Sequence, residues 1–229
     1  MKTTTDLVAP SLKAAIWDAP TRLFHWALVG LIAFSWWSAE EEHFDWHIWS
    51  GIGVLTLLVF RILWGFVGSS TARFANFVRG PRGIFDYLRD LKGWRPLGHT
   101  PLGALSVLAM LGAIALQVGL GLFAVDKDGL YEGPLAYLIS VDAAEESADF
   151  HEDWFDVILV LIGLHIAALL FYRLVLGKKL IAPMLTGRGA VDAQTEPMRP
   201  GRGWIALLCL VVAIAFSRWI LSGAPPFGG

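Results

Sequence analysis

The chain has a single cysteine in 229 residues, Cys209, and it lies inside an apolar run. A lone thiol excludes a disulfide framework. Without CxxC or CxxCH, a cysteine-held iron–sulfur cluster and a covalently attached c-type haem are excluded too. Charge is also scarce: 17% of residues are charged against 55% hydrophobic, and mean hydropathy is +0.57. That balance excludes an ordinary soluble domain. The opening segment, MKTTTDLVAPSLKAAIWDAP, lacks the apolar core of a cleavable signal peptide, so the first span is expected to direct insertion itself. No repeat or low-complexity tract is present.

What the chain does have is long apolar runs. Five are expected to cross a membrane as helices, over Thr21–Ser38, Asp45–Val67, Pro101–Val125, Phe150–Leu176 and Trp204–Ser222. Asp18-Ala19-Pro20 opens the first, with proline suited to a first helical turn. Lipid offers backbone groups no partners, so the expected fold is all-α, an integral membrane helical bundle.

Charge distribution orients the bundle. Arg73, Arg79, Arg82, Arg89, Lys92 and Arg95 lie between spans two and three, and Lys178, Lys179, Arg188, Arg199 and Arg202 between spans four and five. Lys2, Lys13 and Arg22 add to the same side. The alternate loops are acidic, with Glu40, Glu41, Glu42 and Asp45 in one, and Asp126, Asp128, Glu132, Asp142, Glu145, Glu146 and Asp149 in the other. Because basic loops stay inside, the N-terminus is expected in the cytoplasm and the C-terminus outside. Residues Phe74 to Leu91 mix arginines with aromatics and read as an amphipathic segment on the inner surface, serving as an anchor and not binding nucleic acid.

The histidines carry the chemistry. From Val157 to Tyr172 the only strongly polar side chain is His165, fourteen positions after His151. At about 100° and 1.5 Å per residue, the two lie within roughly 40° of one helix face and about 21 Å apart. An ionisable group at that depth normally has a partner inside the bundle. With the orientation above, His25 shares the inner depth with His165, and His47 shares the outer depth with His151. Two bis-histidine layers suit b-type haem, whose iron takes an imidazole from each side. Zinc would need more ligands per site. His43 lies four residues from His47 on the same face, but His47 is nearer the apolar run and precedes Gly51 and Gly53.

Arg22 and Arg61 sit near the inner ends of their spans. Each is suited either to pairing with an inner-haem propionate or to snorkelling toward the interface. His99, at the inner mouth of span three, fits a propionate, a quinone carbonyl or an ordinary interfacial position. Gln117 reads as an interhelical hydrogen bond. Trp36, Trp37, Trp46, Trp49 and Trp154 form an outer aromatic belt.

The chain resembles the bacterial cytochrome b561 and nickel-hydrogenase cytochrome b family. The resemblance rests on WDAPTRLFHW (Trp17–Trp26), HIWSG (His47–Gly51), FRILWG (Phe60–Gly65), GHTPLG (Gly98–Gly103), EGPLA (Glu132–Ala136), the segment from His151 through His165, and PMLTG (Pro183–Gly187). It implies two haem b groups in a four-helix di-haem core, ligated by His25, His47, His151 and His165. It also implies electron transfer between membrane quinone and a periplasmic redox protein, such as a c-type cytochrome or a hydrogenase. The expected setting is the bacterial inner membrane, surrounded by lipid. Residues 1–188 would form the di-haem domain, and 189–229 a linker and fifth transmembrane helix. Two alternatives remain: a self-contained superoxide:quinone oxidoreductase, and a haem-bearing anchor without catalysis of its own. The acidic outer loop is expected to steer a basic partner, although outer loops are generally poor in Lys and Arg.

Overall fold

The computed structural model describes residues 11–91, 93, 97–192 and 195–225. Lys2, Lys92, Arg95 and the last four residues, which bear on the topology expected above, lie outside them. The described chain is a helical bundle: α1 (Ala19–Glu40), α2 (Phe44–Val67), short α3 (Phe74–Phe77) and α4 (Pro81–Arg89), α5 (Pro101–Phe123), α6 (Val141–Leu174), short α7 (Ile181–Thr186) and α8 (Gly203–Leu221). A two-stranded antiparallel ribbon joins β1 (Ser11–Ala15) to β2 (Arg188–Asp192).

Polar caps start the long helices where the sequence places them. The Thr21 amide donates to Asp18 Oδ1 at 2.7 Å, and the Gly103 amide to Thr100 Oγ1 at 3.0 Å, each just before a first-turn proline. Ser140 caps α6 and brings the helix in nine residues ahead of the expected Phe150. The cap and the acidic residues of the first turns stabilise the positive end of the helix dipole, so the end of the outer loop is helical.

Among the described residues four helices, α2, α5, α6 and α8, are long and apolar enough to cross a membrane. The first expected span, α1, has the length at 22 residues, but Arg22, His25 and its tryptophans make it less apolar. Leu164, Leu170, Leu207 and Val211 are more than half exposed on α6 and α8, a cost in water that lipid removes.

Helix α2 is the centre of the bundle, packed against α1, α5 and α8, while α5 packs along α6. Helix α8 takes part in that packing: Cys209 and Ala213 join Phe24, Phe60 and Trp64 in one apolar cluster. Its outer end, with Ile220 and Ala224, meets Ile52, Leu55 and Leu135. The expected amphipathic stretch divides at Val78–Gly80 into α3 and α4, which turn Phe77 and Tyr87 inward. The ribbon was not anticipated, because its strands are nearly 180 residues apart and neither has a hairpin signal.

Gly65 allows α3 to lie against α2, for a Cβ there would collide with the Phe74 ring. Gly65→Ala should therefore lower stability by about 1–3 kcal/mol, as overpacking does. Thermal unfolding in detergent would measure it, and an unchanged midpoint would contradict this account of the α2–α3 contact.

Candidate functional site

A ladder of side-chain bonds joins α6 to the carbonyls of α5. Ser147 Oγ donates to the Leu120 carbonyl at 2.9 Å, His151 Nδ1 to that of Gln117 at 2.9 Å, and Trp154 Nε1 to that of Ala113 at 3.0 Å. The spacing of four and three residues keeps all three donors on one stripe of α6. Gln117 returns a bond, its Nε2 donating to the His151 carbonyl at 2.8 Å, as the expected interhelical contact. Gly121 completes the seat, for a Cβ there would lie 2.8 Å from the imidazole.

The two histidines expected at the outer depth meet. His47 and His151 have ring centroids 5.8 Å apart with planes at 88°. His47 Nδ1 reaches the Ser35 carbonyl on α1 at 2.9 Å, the same arrangement as His151 has on α5. A carbonyl only accepts, so each neutral ring carries its proton on Nδ1 and leaves Nε2 as a free lone pair. Metal-binding histidines are oriented by this type of bond. His43 sits instead among Trp37 and Trp46, at 5.9 and 4.8 Å, just before the first turn of α2.

The two histidines expected at the inner depth, His25 on α1 and His165 on α6, are close enough to interact electrostatically but make no ring contact. His25 Nδ1 is buried without a hydrogen-bond partner, and the ring edges Trp26 at 4.9 Å. Among the described residues no group of three or more His, Cys, Asp or Glu side chains converges.

The other candidates take separate places. Arg22 Nη1 donates to the Leu185 carbonyl at 2.6 Å, and Trp26 Nε1 to that of Met184 at 3.3 Å, so α1 holds the PMLTG segment. Gly187, at φ +79°, closes that turn beside the Arg22 guanidinium, whose Nε is buried and unpartnered. Arg61 does not snorkel: it is 2% exposed, its guanidinium lies 4.8 Å from the Phe74 ring, and Nη1 has no partner. Of the two positions open to it in the sequence, the interfacial one is closed because α3 folds back over the end of α2.

His99 is enclosed by Trp17 and Phe77, with ring centroids at 4.6 and 4.4 Å, and its Nδ1 is unpartnered. Burial, and secondarily the nearby Arg61 charge, pushes its pKa down to about 3. The sequence offered no sign of two further participants, the Ser35 and Gln117 carbonyls, since a backbone acceptor is independent of residue type. It placed Asp18 only at the opening of the first span, and it did not single out Trp64 or the buried hydroxyl contact between Tyr87 and Tyr172, which ties α4 to the C-terminal end of α6.

A family model described as prokaryotic cytochrome b561 matches residues 16–187. No curated protein and no solved structure matches the chain.

His99 links this region to pH. The folded ring stays neutral down to about pH 3, whereas an unfolded histidine takes up a proton near 6.5. The unfolded chain binds more protons between those values, so acidification below about 6.5 should destabilise the fold, by at most about 1.4 kcal/mol per pH unit. His99→Gln should flatten the loss of thermal stability between pH 6.5 and 5, and an unaltered pH slope would contradict the burial of a neutral ring.

Proposed function

The chain belongs to the prokaryotic cytochrome b561 family, and from that membership we propose that it is a di-haem membrane cytochrome b carrying electrons between quinone and a periplasmic redox protein. The family and its apolar helices make it a membrane haem b electron-transfer protein. The finer reading, with two centres of four named ligands, is supported chiefly by the outer pair. There, both Nδ1 atoms are committed to carbonyls and both Nε2 atoms are left for a ligand shared between α2 and α6. That donor set fits a six-coordinate haem iron, and the apolar helix faces around it fit a buried porphyrin.

When bound, haem supplies reversible one-electron chemistry; the protein supplies binding, orientation and exclusion of water. In this reading His47 and His151 hold the outer centre, and His25 and His165 the inner one. The spacing of His151 and His165 along α6 sets the layers about 21 Å apart. The orphaned donors Arg22 Nε, Arg61 Nη1 and His99 Nδ1 are available to inner-haem propionates, or in the case of His99 to a quinone carbonyl. The unpartnered His25 ring is consistent with a ligand still to be met.

The proposed topology is an inner-membrane protein with α1 as a further span, the N-terminus cytoplasmic and the C-terminus periplasmic. Arg73, Arg79, Arg82, Arg89, Lys178 and Lys179 support the inner assignment of one face. Residues 1–188 form the di-haem unit in this scheme and 189–229 the addition, although β2 runs across that boundary. On the outer face, the acidic stretch from Asp126 to Asp149 would steer a basic c-type cytochrome or hydrogenase-like partner.

The purified protein should show reduced b-type α-bands with two midpoints. His47→Ala should remove the outer centre and leave the inner one, while His165→Ala should remove the inner and weaken the outer. Loss of the outer centre alone in His25→Ala would overturn the pairing. Haem reduction by superoxide with no other partner would favour the self-contained alternative. Gly121→Ala should displace the His151 imidazole and shift the outer spectrum; an outer spectrum identical to wild type would remove His151 from the ligand set.

A further inference from the structure

Helix α8 lies beyond the family match, which ends at residue 187, yet its entry is fastened to the inner half of the bundle. The Ser70 amide donates to the Arg199 carbonyl at 3.0 Å, and the Arg199 amide to Ser70 Oγ at 2.9 Å. The chain then passes so close to Trp64 that a Cβ on Gly201 would lie 2.5 Å from the indole. Trp64 is fully buried, stacked on Phe60 at 6.3 Å and clustered with Cys209 and Ala213 of α8.

The far side of that indole reaches α1. Trp64 Nε1 donates to Asp18 Oδ2 at 3.1 Å, while Asp18 Oδ1 accepts from the Thr21 amide at 2.7 Å. Asp18 is 8% exposed, and Arg61 is near enough to interact with it electrostatically. The two carboxylate oxygens thus act separately, as one caps α1 and the other fixes where the capped end sits against α2. His25 follows seven residues later, two turns or about 10 Å along the same helix. A helix is stiff over two turns, so a displacement of its cap is carried to the imidazole.

We propose that Asp18 and Trp64 are positioning residues for His25, and that the Gly201 crossing of α8 braces them, so that the added helix sets the geometry of the inner centre. The proposal rests on the reading of His25 as an inner haem ligand. In this arrangement α8 keeps Trp64 pressed toward Asp18.

Three full-length variants test it. Asp18→Asn keeps an oxygen for the cap but replaces the acceptor of the indole bond with a donor. Trp64→Phe keeps an aromatic ring and deletes the bond. Gly201→Ala wedges the ring from the α8 side. Each should retain both haems, shift the low-spin ferric signal and the midpoint of the inner centre, and leave the outer centre unmoved. Asp18→Asn should move the inner midpoint upward, because removing a negative charge favours the reduced form. The Asp18→Asn/Trp64→Phe double variant should change the ferric signal no more than the larger single change, since one link is broken in each. An inner signal unmoved in all three would overturn the proposal, as would a shift in Asp18→Asn with Trp64→Phe and Gly201→Ala silent, which would be a charge effect alone. Retention of the inner signal in His25→Ala would instead overturn the ligand assignment on which the brace depends.

Discussion

A half-buried imidazole among apolar helices has two nitrogens to satisfy, and this constraint shapes the half of the molecule around His47 and His151. His47 and His151 each place Nδ1 on a carbonyl of the adjoining helix, Ser35 on α1 and Gln117 on α5. The bond selects the tautomer and orients the ring. Four helices are thereby engaged by two side chains.

The inner half satisfies its polar groups less fully. His25, Arg22, Arg61, Arg73 and His99 each retain a buried nitrogen without a hydrogen-bond partner. Three of these five are guanidinium groups, cations that repel and so cannot satisfy one another. The contrast between the halves is chemical: the outer site is oriented by backbone carbonyls, and the inner region is dominated by arginine and enclosed aromatic rings.

Packing around α2 connects these features. Its outer end presents His47, its middle meets α5, and its inner end carries Arg61 and Trp64, with Gly65 admitting α3. Helix α8 covers the flank of α2, and the outer loop folds back so that Leu135 and Tyr137 meet the end of α8, the Tyr137 hydroxyl donating to the Gly223 carbonyl. The helix outside the family match is therefore joined to α2 near both membrane faces.

Much of this was legible in the residue order. Apolar run length located α2, α5 and α8 to within two residues, since the hydrocarbon thickness imposes the length. The fourteen-residue interval on α6 placed His151 and His165 on one stripe, because helical pitch is a local property. The amphipathic stretch was seen, though not its break at Gly80, and the ring of His47, not that of His43, is the one beside His151. Other features depended on elements distant in sequence coming together. Which carbonyls receive His47 and His151, why Arg61 is covered when its position left both burial and snorkelling open, how β1 finds β2 and what α8 touches are all decided by packing. Local order governs helix length, phase and depth; only the assembled bundle determines which backbone acceptor or aromatic face each buried donor meets.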